Sequence, residues 1–190
     1  MSKKAYLFLA DGFEEVEALT QVDFLRRSGI DVTTVGVGKA PGELVSGGHG
    51  IDVRPDMYME QLDADASDYD ALICPGGMPG AANLAADQKL RSMLVKGNND
   101  GKLMCGICAA PAVVFGNTAA DILGTRKFTC YPGFEERTDA THLTRQRVET
   151  DGNLITSMGP GTAAEFAVAI IRRLTDDNTA DTIHSSTIQK

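Results

Sequence analysis

Positive charge is in short supply in this sequence. Against 26 acidic residues stand 18 lysines and arginines, a formal net charge of −8 and an isoelectric point near 4.8. Such a surface repels phosphate backbones and anionic lipid at long range, so neither specific nucleic acid binding nor membrane association is expected. Long apolar runs are missing too: the one in MSKKAYLFLADG breaks at Asp11-Gly12, short of a signal peptide's hydrophobic segment. With no export signal and only four cysteines at irregular spacing, cytoplasmic residence and reduced thiols are expected. Histidine is scarce, at His49, His142 and His184, and no second Cys or His pair stands at ligand spacing, which argues against a metal clip. No G-x-x-x-x-G-K-[ST] loop occurs, so nucleotide hydrolysis has no support. Gly159 to Ala164 has the G-x-G-x-x-A spacing of a dinucleotide loop, but it lies in the last unit, with no following strand to carry an acidic ribose partner. Neither metal nor cofactor is expected.

What is present is the composition of a soluble globular protein, 43% hydrophobic and 23% charged. A chain of 190 residues buries roughly 70% of its unfolded surface in one core, so residues 1–190 are expected to form a single domain. Lys4 to Ala10 is an apolar run suited to a strand buried on both faces, and Glu14 to Ser28 carries Ala18, Val22 and Leu25 at helical spacing before the stop at Gly29. The β-branched run Asp31 to Val37 completes a strand-helix-strand unit, hence a parallel pair. Gly38 to Asp68 is glycine-rich, then acidic, and is expected to hold a short hairpin and a surface excursion.

Tyr69 to Cys74 and Lys102 to Ile107 read as further buried strands, the first followed by a helix from Ala81 to Lys96 and the second by a helix start at Pro111 to Gly116. Arg126 to Cys130 and Arg147 to Thr150 are expected strands, with Asp151-Gly152 turning the latter into Leu154 to Ser157. Thr162-Ala-Ala-Glu165 is a predicted capping box for a helix ending at Leu174, and the polar tail from Thr175 is expected to pack loosely or fray. These elements predict an α/β domain with a mostly parallel sheet.

Cys105-Gly-Ile-Cys108 has the spacing of a redox pair, but Cys105 falls inside a strand and only Cys108 reaches the turn. Three strand residues span roughly 10 Å, whereas a disulfide tolerates at most about 7 Å between α-carbons. Their odd offset also sends the two side chains to opposite faces. Cys105 is therefore a core residue. Cys108 stands where open α/β sheets bind ligands, outside the carboxyl end of a strand. The helix start after it, Ala109-Ala110-Pro111, offers free N–H groups expected to lower the thiol pKa. A free cysteine is also often buried and inert; the turn position favours the reactive reading.

Two further strand ends meet the same crevice. In Asp11-Gly-Phe-Glu14-Glu15-Val-Glu17, Glu14 and Glu15 read as partners of the helix dipole, while Glu17 falls in the first turn, placed to reach inward as a carboxyl with a raised pKa. In Cys74-Pro-Gly76-Gly77-Met-Pro-Gly80, glycine permits a sharp turn and brings backbone N–H groups close enough to bind an oxyanion or substrate.

Taken in order, LADGFEEVEALTQVDFLRRSGIDVTTVGVG, ALICPGGMPGAANL, GICAAPAVV and ITSMGPGTAAEFA resemble the ThiJ/PfpI superfamily over nearly the whole chain, within it the branch of the human parkinsonism-linked protein (DJ-one) and the bacterial ThiJ-like proteins. The resemblance implies a flavodoxin-like α/β/α sandwich that usually forms a homodimer. It implies Cys108 as nucleophile, Glu17 as its protonated partner, and Gly77 and Ala109 as backbone donors. Related members act as glutathione-independent glyoxalases or as deglycases of methylglyoxal-damaged molecules. Others are described as oxidative-stress sensors and chaperones whose cysteine becomes a sulfinate held by the glutamate.

Departures bear on substrate preference. His49 stands where the branch often has arginine, and Tyr131 where it often has histidine, both near the site in relatives. Ala109 comes directly after the nucleophile where protease-like relatives have histidine, which argues against peptidase activity. Two functions are then in view: a cysteine-dependent enzyme acting on small α-oxoaldehydes or their adducts, or a redox-sensing chaperone without turnover. A ligand-binding flavodoxin-like module is a third.

Overall fold

In the computed structural model, which describes residues 2–63, 66–116 and 122–189, β1 (Lys4–Leu9) is buried along Leu7, Phe8 and Leu9. That suits an apolar run with both faces covered. From β1 the chain passes through α1 (Glu15–Arg27) into β2 (Asp31–Gly36), which pairs parallel to β1 from Lys4–Asp31 to Leu9–Gly36. The expected hairpin is formed by β3 (Val45–Ser46) and β4 (Asp52–Val53). β5 (Met57–Tyr58) then adds parallel to the outer side of β2, a two-residue strand too short to leave a sequence pattern. β6 (Ala71–Cys74), β7 (Leu103–Ile107), β8 (Val148–Asp151) and β9 (Leu154–Ser157) complete a sheet ordered β5-β2-β1-β6-β7-β9-β8. Every neighbouring pair is parallel except β8 and β9, so the mostly parallel sheet is as predicted. α1 packs on α4 (Ala163–Leu174), and α4 on α5 (Asp177–Ser186), while α3 (Gln88–Asn99) lies against β6 and β7. Among the described residues no helix is long and apolar enough to cross a membrane.

Four local expectations change. The helix predicted from Ala81 to Lys96 is two helices, α2 (Gly80–Ala86) and α3, because Asp87 turns extended and caps Leu90 N–H at 2.8 Å. Arg126 to Cys130 is not a strand. Phe128 makes one isolated bridge to Leu143, and the segment is held by burial of Phe128 and Cys130. The capping box does not form: the Thr162 hydroxyl turns back to Ser157 Oγ at 2.6 Å and Gly159 O at 2.8 Å, while Glu165 pairs with Arg147. Finally, the tail is ordered into α5. Asp176 accepts from Thr179 N–H at 2.7 Å, and Ala180 and Ile183 are buried, so a polar-looking segment carries a narrow apolar stripe.

Strand order reverses between β1 and β6, and the crevice outside their carboxyl ends is where such sheets bind ligands. The turn after β9 walls this crevice, and the Thr162 hydroxyl ties it together by also accepting from Gly159 N–H at 3.1 Å. Thr162→Val keeps the shape and removes every one of these bonds inside a buried turn. We expect a loss of about 1–3 kcal/mol in urea unfolding, the cost of stranding buried polar partners.

Candidate active site

β7 ends at Ile107, and the next residue, Cys108, sits at φ +63°, in the left-handed region that non-glycine residues occupy only under strain. Two backbone bonds hold it there. Cys108 N–H donates to Ser157 O at 2.9 Å, and Tyr131 N–H donates to Cys108 O at 2.9 Å. The result is a nucleophile elbow: the sulfur is turned out of the strand direction toward the crevice, where the N–H groups of Gly77 and Ala109 donate to it. Cys105, one element back, stays in the sheet opposite Ile73 and is fully buried. All four cysteines are free, so the Cys-x-x-Cys spacing forms no disulfide.

Glu17 is brought to this sulfur by the first turn of α1. Glu14 caps that helix, its Oε2 accepting Glu17 N–H at 2.6 Å, and the rotation places the Glu17 side chain fully inside. Glu17 is hydrogen-bonded to the Cys108 thiol, and its Oε2 accepts Gly76 N–H at 2.9 Å. Its other oxygen, Oε1, is buried and has no hydrogen-bond partner within the protein.

Burial pushes the Glu17 carboxyl up to about 7, with the nearby Glu14 charge adding to it and the bonds from Cys108 and Gly76 opposing. Burial is also the largest influence on Cys108 and, with the Glu17 charge, moves its thiol upward. Only the Gly77 and Ala109 N–H groups pull the other way. The expected lowering of the thiol pKa by the helix start is thus reversed. The helical segment after Cys108 is a single π-helical turn, Pro111–Phe115, and two N–H groups do not outweigh desolvation beside a carboxylate. Both shifts favour the protonated form, so near neutral pH the carboxyl titrates beside a thiol that keeps its proton.

The two glycines have separate tasks. A Cβ on Gly76 would lie 2.6 Å from both Cys108 Cβ and Glu17 Oε2, so only glycine lets the two side chains meet. Its N–H is spent on Glu17, so Gly76 is not the free donor predicted, while the Gly77 and Ala109 N–H groups donate to the Cys108 sulfur. Gly77, at φ +86°, is pressed against the Gly12–Glu14 backbone, where a Cβ would come within 2.4 Å of Gly12 O.

Glu15 is more than a dipole partner. It is buried and accepts from His49 N–H at 2.6 Å and pairs with His49 Nδ1 at 2.7 Å, pinning the β3–β4 turn to α1. Burial works to raise its carboxyl, but the His49 bonds outweigh it and hold the group below the usual range. Among the described residues Glu14, Glu15 and His49 form the one cluster close enough to share a metal ion, and their polar atoms are already engaged with each other and with the α1 cap. Tyr131 is brought to the site by its bond to Cys108 O, and its ring lies against Gly159. Ser157 and Gly159 join the site without having stood out as candidates; the glycine-proline-glycine turn after the last strand is their one visible signal in the sequence.

The model of the DJ-1/PfpI family matches residues 3–173. The chain belongs to the DJ-1/PfpI family. Protein DJ-1 homolog B of Arabidopsis thaliana is 39% identical over 174 residues, which is 91% of this chain but 38% of that relative, so the chain spans less than half of that protein. The Caenorhabditis elegans glutathione-independent glyoxalase DJR-1.2 is 31% identical over 85% of this chain and 82% of its own length. Among solved structures, oxidized Toxoplasma gondii DJ-1 superposes with a TM-score of 0.92 at 32% identity, covering 99% of both chains. The fold is accordingly the flavodoxin-like α/β/α sandwich of this family.

A carboxyl raised from 4.5 to about 7 works against folding once the unfolded chain has lost its proton. Between pH 4.5 and 7 the native state binds the extra proton, so stability falls as pH rises through that window and levels off above it, by a total on the order of 3 kcal/mol. Glu17→Gln removes this dependence, and at pH 8 the variant should unfold at higher urea than the wild type.

Proposed function

We propose that the chain is a cysteine-dependent, glutathione-independent glyoxalase, with deglycase-type action on methylglyoxal adducts, serving carbonyl and oxidative stress in the cytoplasm. The observation that carries this reading is the buried Glu17 carboxyl hydrogen-bonded to the thiol of a strained, turn-borne Cys108. The named glyoxalase activity of the C. elegans relative agrees with it.

In the proposed sequence the Cys108 sulfur attacks the aldehyde carbon of methylglyoxal as its proton passes to Glu17. The aldehyde oxygen, developing negative charge beside the Gly77 and Ala109 N–H groups, takes that proton back from Glu17 to give a hemithioacetal and leaves Glu17 a carboxylate. Glu17, again a carboxylate, removes the hydrogen on that carbon and returns it to the neighbouring carbon, while the hydroxyl proton of the first carbon passes to the neighbouring oxygen, so the ketone becomes an alcohol and the hemithioacetal a thioester. Water cleaves the thioester, releasing lactate and the thiol. One carbon is oxidised as its neighbour is reduced, so no outside oxidant or cofactor enters. With alanine at 109 there is no Cys-His dyad next to the nucleophile, in keeping with carbonyl rather than peptide chemistry.

The second reading, a redox-sensing chaperone, draws on the same site: Cys108 is the most exposed of four buried cysteine residues, at 9%, and Glu17 as acid has a proton to donate to a sulfinate. We also propose a homodimer. Val16 and Ile51 are 51% and 52% exposed and sit beside the Glu15–His49 link between α1 and the β3–β4 turn.

Lactate release from methylglyoxal, followed by chiral chromatography, tests the first reading. Wild type should turn over at least about a hundredfold faster than Cys108→Ser or Glu17→Gln. Wild-type turnover no better than Cys108→Ser, with peroxide adding two oxygens selectively at Cys108, would move the assignment to the redox sensor. For the dimer, sedimentation should give twice the 20.2 kDa chain mass, and Val16→Asp should give the monomer.

A further inference from the structure

Gly159 has φ 166°, extended backbone open to any residue, so its conformation does not call for glycine. Its surroundings do. A Cβ there would lie 3.1 Å from Tyr131 Cδ2, 3.6 Å from Tyr131 Cε2 and 3.9 Å from Glu17 Oε1. Glycine thus leaves a narrow space with an aromatic edge on one side and, on the other, the buried carboxylate oxygen that has no partner.

The ring on this space is held firmly. Its own backbone N–H bonds to Cys108 O at 2.9 Å, so ring and nucleophile share one anchor. Phe134 braces it edge-on, with ring centroids 6.3 Å apart and planes at 80°, and the Arg137 guanidinium covers Phe134 in turn at 5.3 Å. Yet Tyr131 is 46% exposed, so much of this braced aromatic surface faces solvent. A half-exposed, pre-ordered aromatic group beside a nucleophile costs little entropy to use as a binding wall.

We propose that Tyr131 is the specificity-determining wall of the site, selecting carbonyl compounds that carry a flat, apolar substituent such as a phenyl ring over those that carry a methyl group. The substituent stacks on or against the edge of Tyr131 while the carbonyl carbon meets Cys108. Gly159 keeps the space between wall and carboxylate open. This rests on the proposed attack of Cys108 on a carbonyl compound for its metabolic meaning, but the wall itself acts on any electrophile that reaches the sulfur.

The test compares two α-bromoketones, phenacyl bromide and bromoacetone, which differ in phenyl against methyl. Their alkylation rates at Cys108 are read by mass spectrometry, and each is divided by its rate with free glutathione. We expect the normalised phenyl-to-methyl ratio to exceed one in the wild type, to persist in Tyr131→Phe, and to fall by about two- to tenfold in both Tyr131→Ala and Tyr131→Leu, the span of one aromatic contact. Gly159→Ala, which narrows the space, should lower the same ratio. A ratio equal in wild type, Tyr131→Ala and Tyr131→Leu overturns the proposal. A parallel assay compares KM for phenylglyoxal and methylglyoxal, where Tyr131→Ala should raise the first more than the second. Selective alkylation without turnover of either substrate would sink the glyoxalase reading and leave the wall standing; turnover with an unselective thiol would do the reverse.

Discussion

A carboxyl group taken wholly out of water and set against a thiol is costly, and much of the crevice can be understood as the means of keeping it there. Glu17 receives Gly76 N–H on one oxygen and is hydrogen-bonded to the Cys108 thiol, but its second oxygen is left without a protein partner. Desolvation of that kind favours the neutral acid, which is why the group sits near neutrality instead of in the carboxylate range. Three strand ends then have to be positioned to ångström tolerance: the cap at Glu14, the glycine pair after β6 and the elbow after β7.

Strain at Cys108 belongs to the same balance. A left-handed cysteine persists because its N–H and C=O are both claimed, by Ser157 at the end of β9 and by Tyr131 in the segment that precedes β8. Neither partner is near Cys108 in sequence, so the elbow is imposed by the sheet and not by local preference. The Ser157–Thr162–Gly159 hydroxyl knot holds the β9 turn where it can do this, and seats the buried Gly159 against the Tyr131 ring. Order in the turn and the backbone position of Cys108 thus meet at Ser157.

Reading elements from the sequence worked where a single face or a long run carried the signal. The buried strands β1, β6 and β7 are apolar runs, α1 and α4 are periodic, and the glycines at Gly29, Gly76 and Gly77 mark a stop or a turn. It failed where two structures satisfy one local pattern. Thr162-x-x-Glu165 has the composition of a capping box, but Ser157 and Arg147 offer those side chains better partners from outside the helix. The stretch from Ala81 to Lys96 reads as one helix, yet Asp87 within it ends one helix and caps the next. Arg126 to Cys130 is strand-like in composition and finds no adjacent strand beyond one bridge.

Cys108 and Glu17, with the glycine turn after β6 and the helix start after the cysteine, were legible as candidates from position, since such ends converge on one side of a parallel sheet, whereas the choice of Gly77 and Ala109 as donors came from the family resemblance. The parallel pairing of β1 with β2 and the exclusion of a Cys105–Cys108 bridge are also contained in the sequence, because period and reach are properties of the local chain. What the tertiary structure alone decided is the charge on the thiol, the loss of Gly76 as a free donor, the burial of Glu15 against His49, and the seat of Tyr131 beside Gly159. Each of these depends on how much water is left around a group and on which distant atom reaches it first. Desolvation and competition between hydrogen-bond partners are sums over the whole packed neighbourhood, and no window of sequence contains that sum.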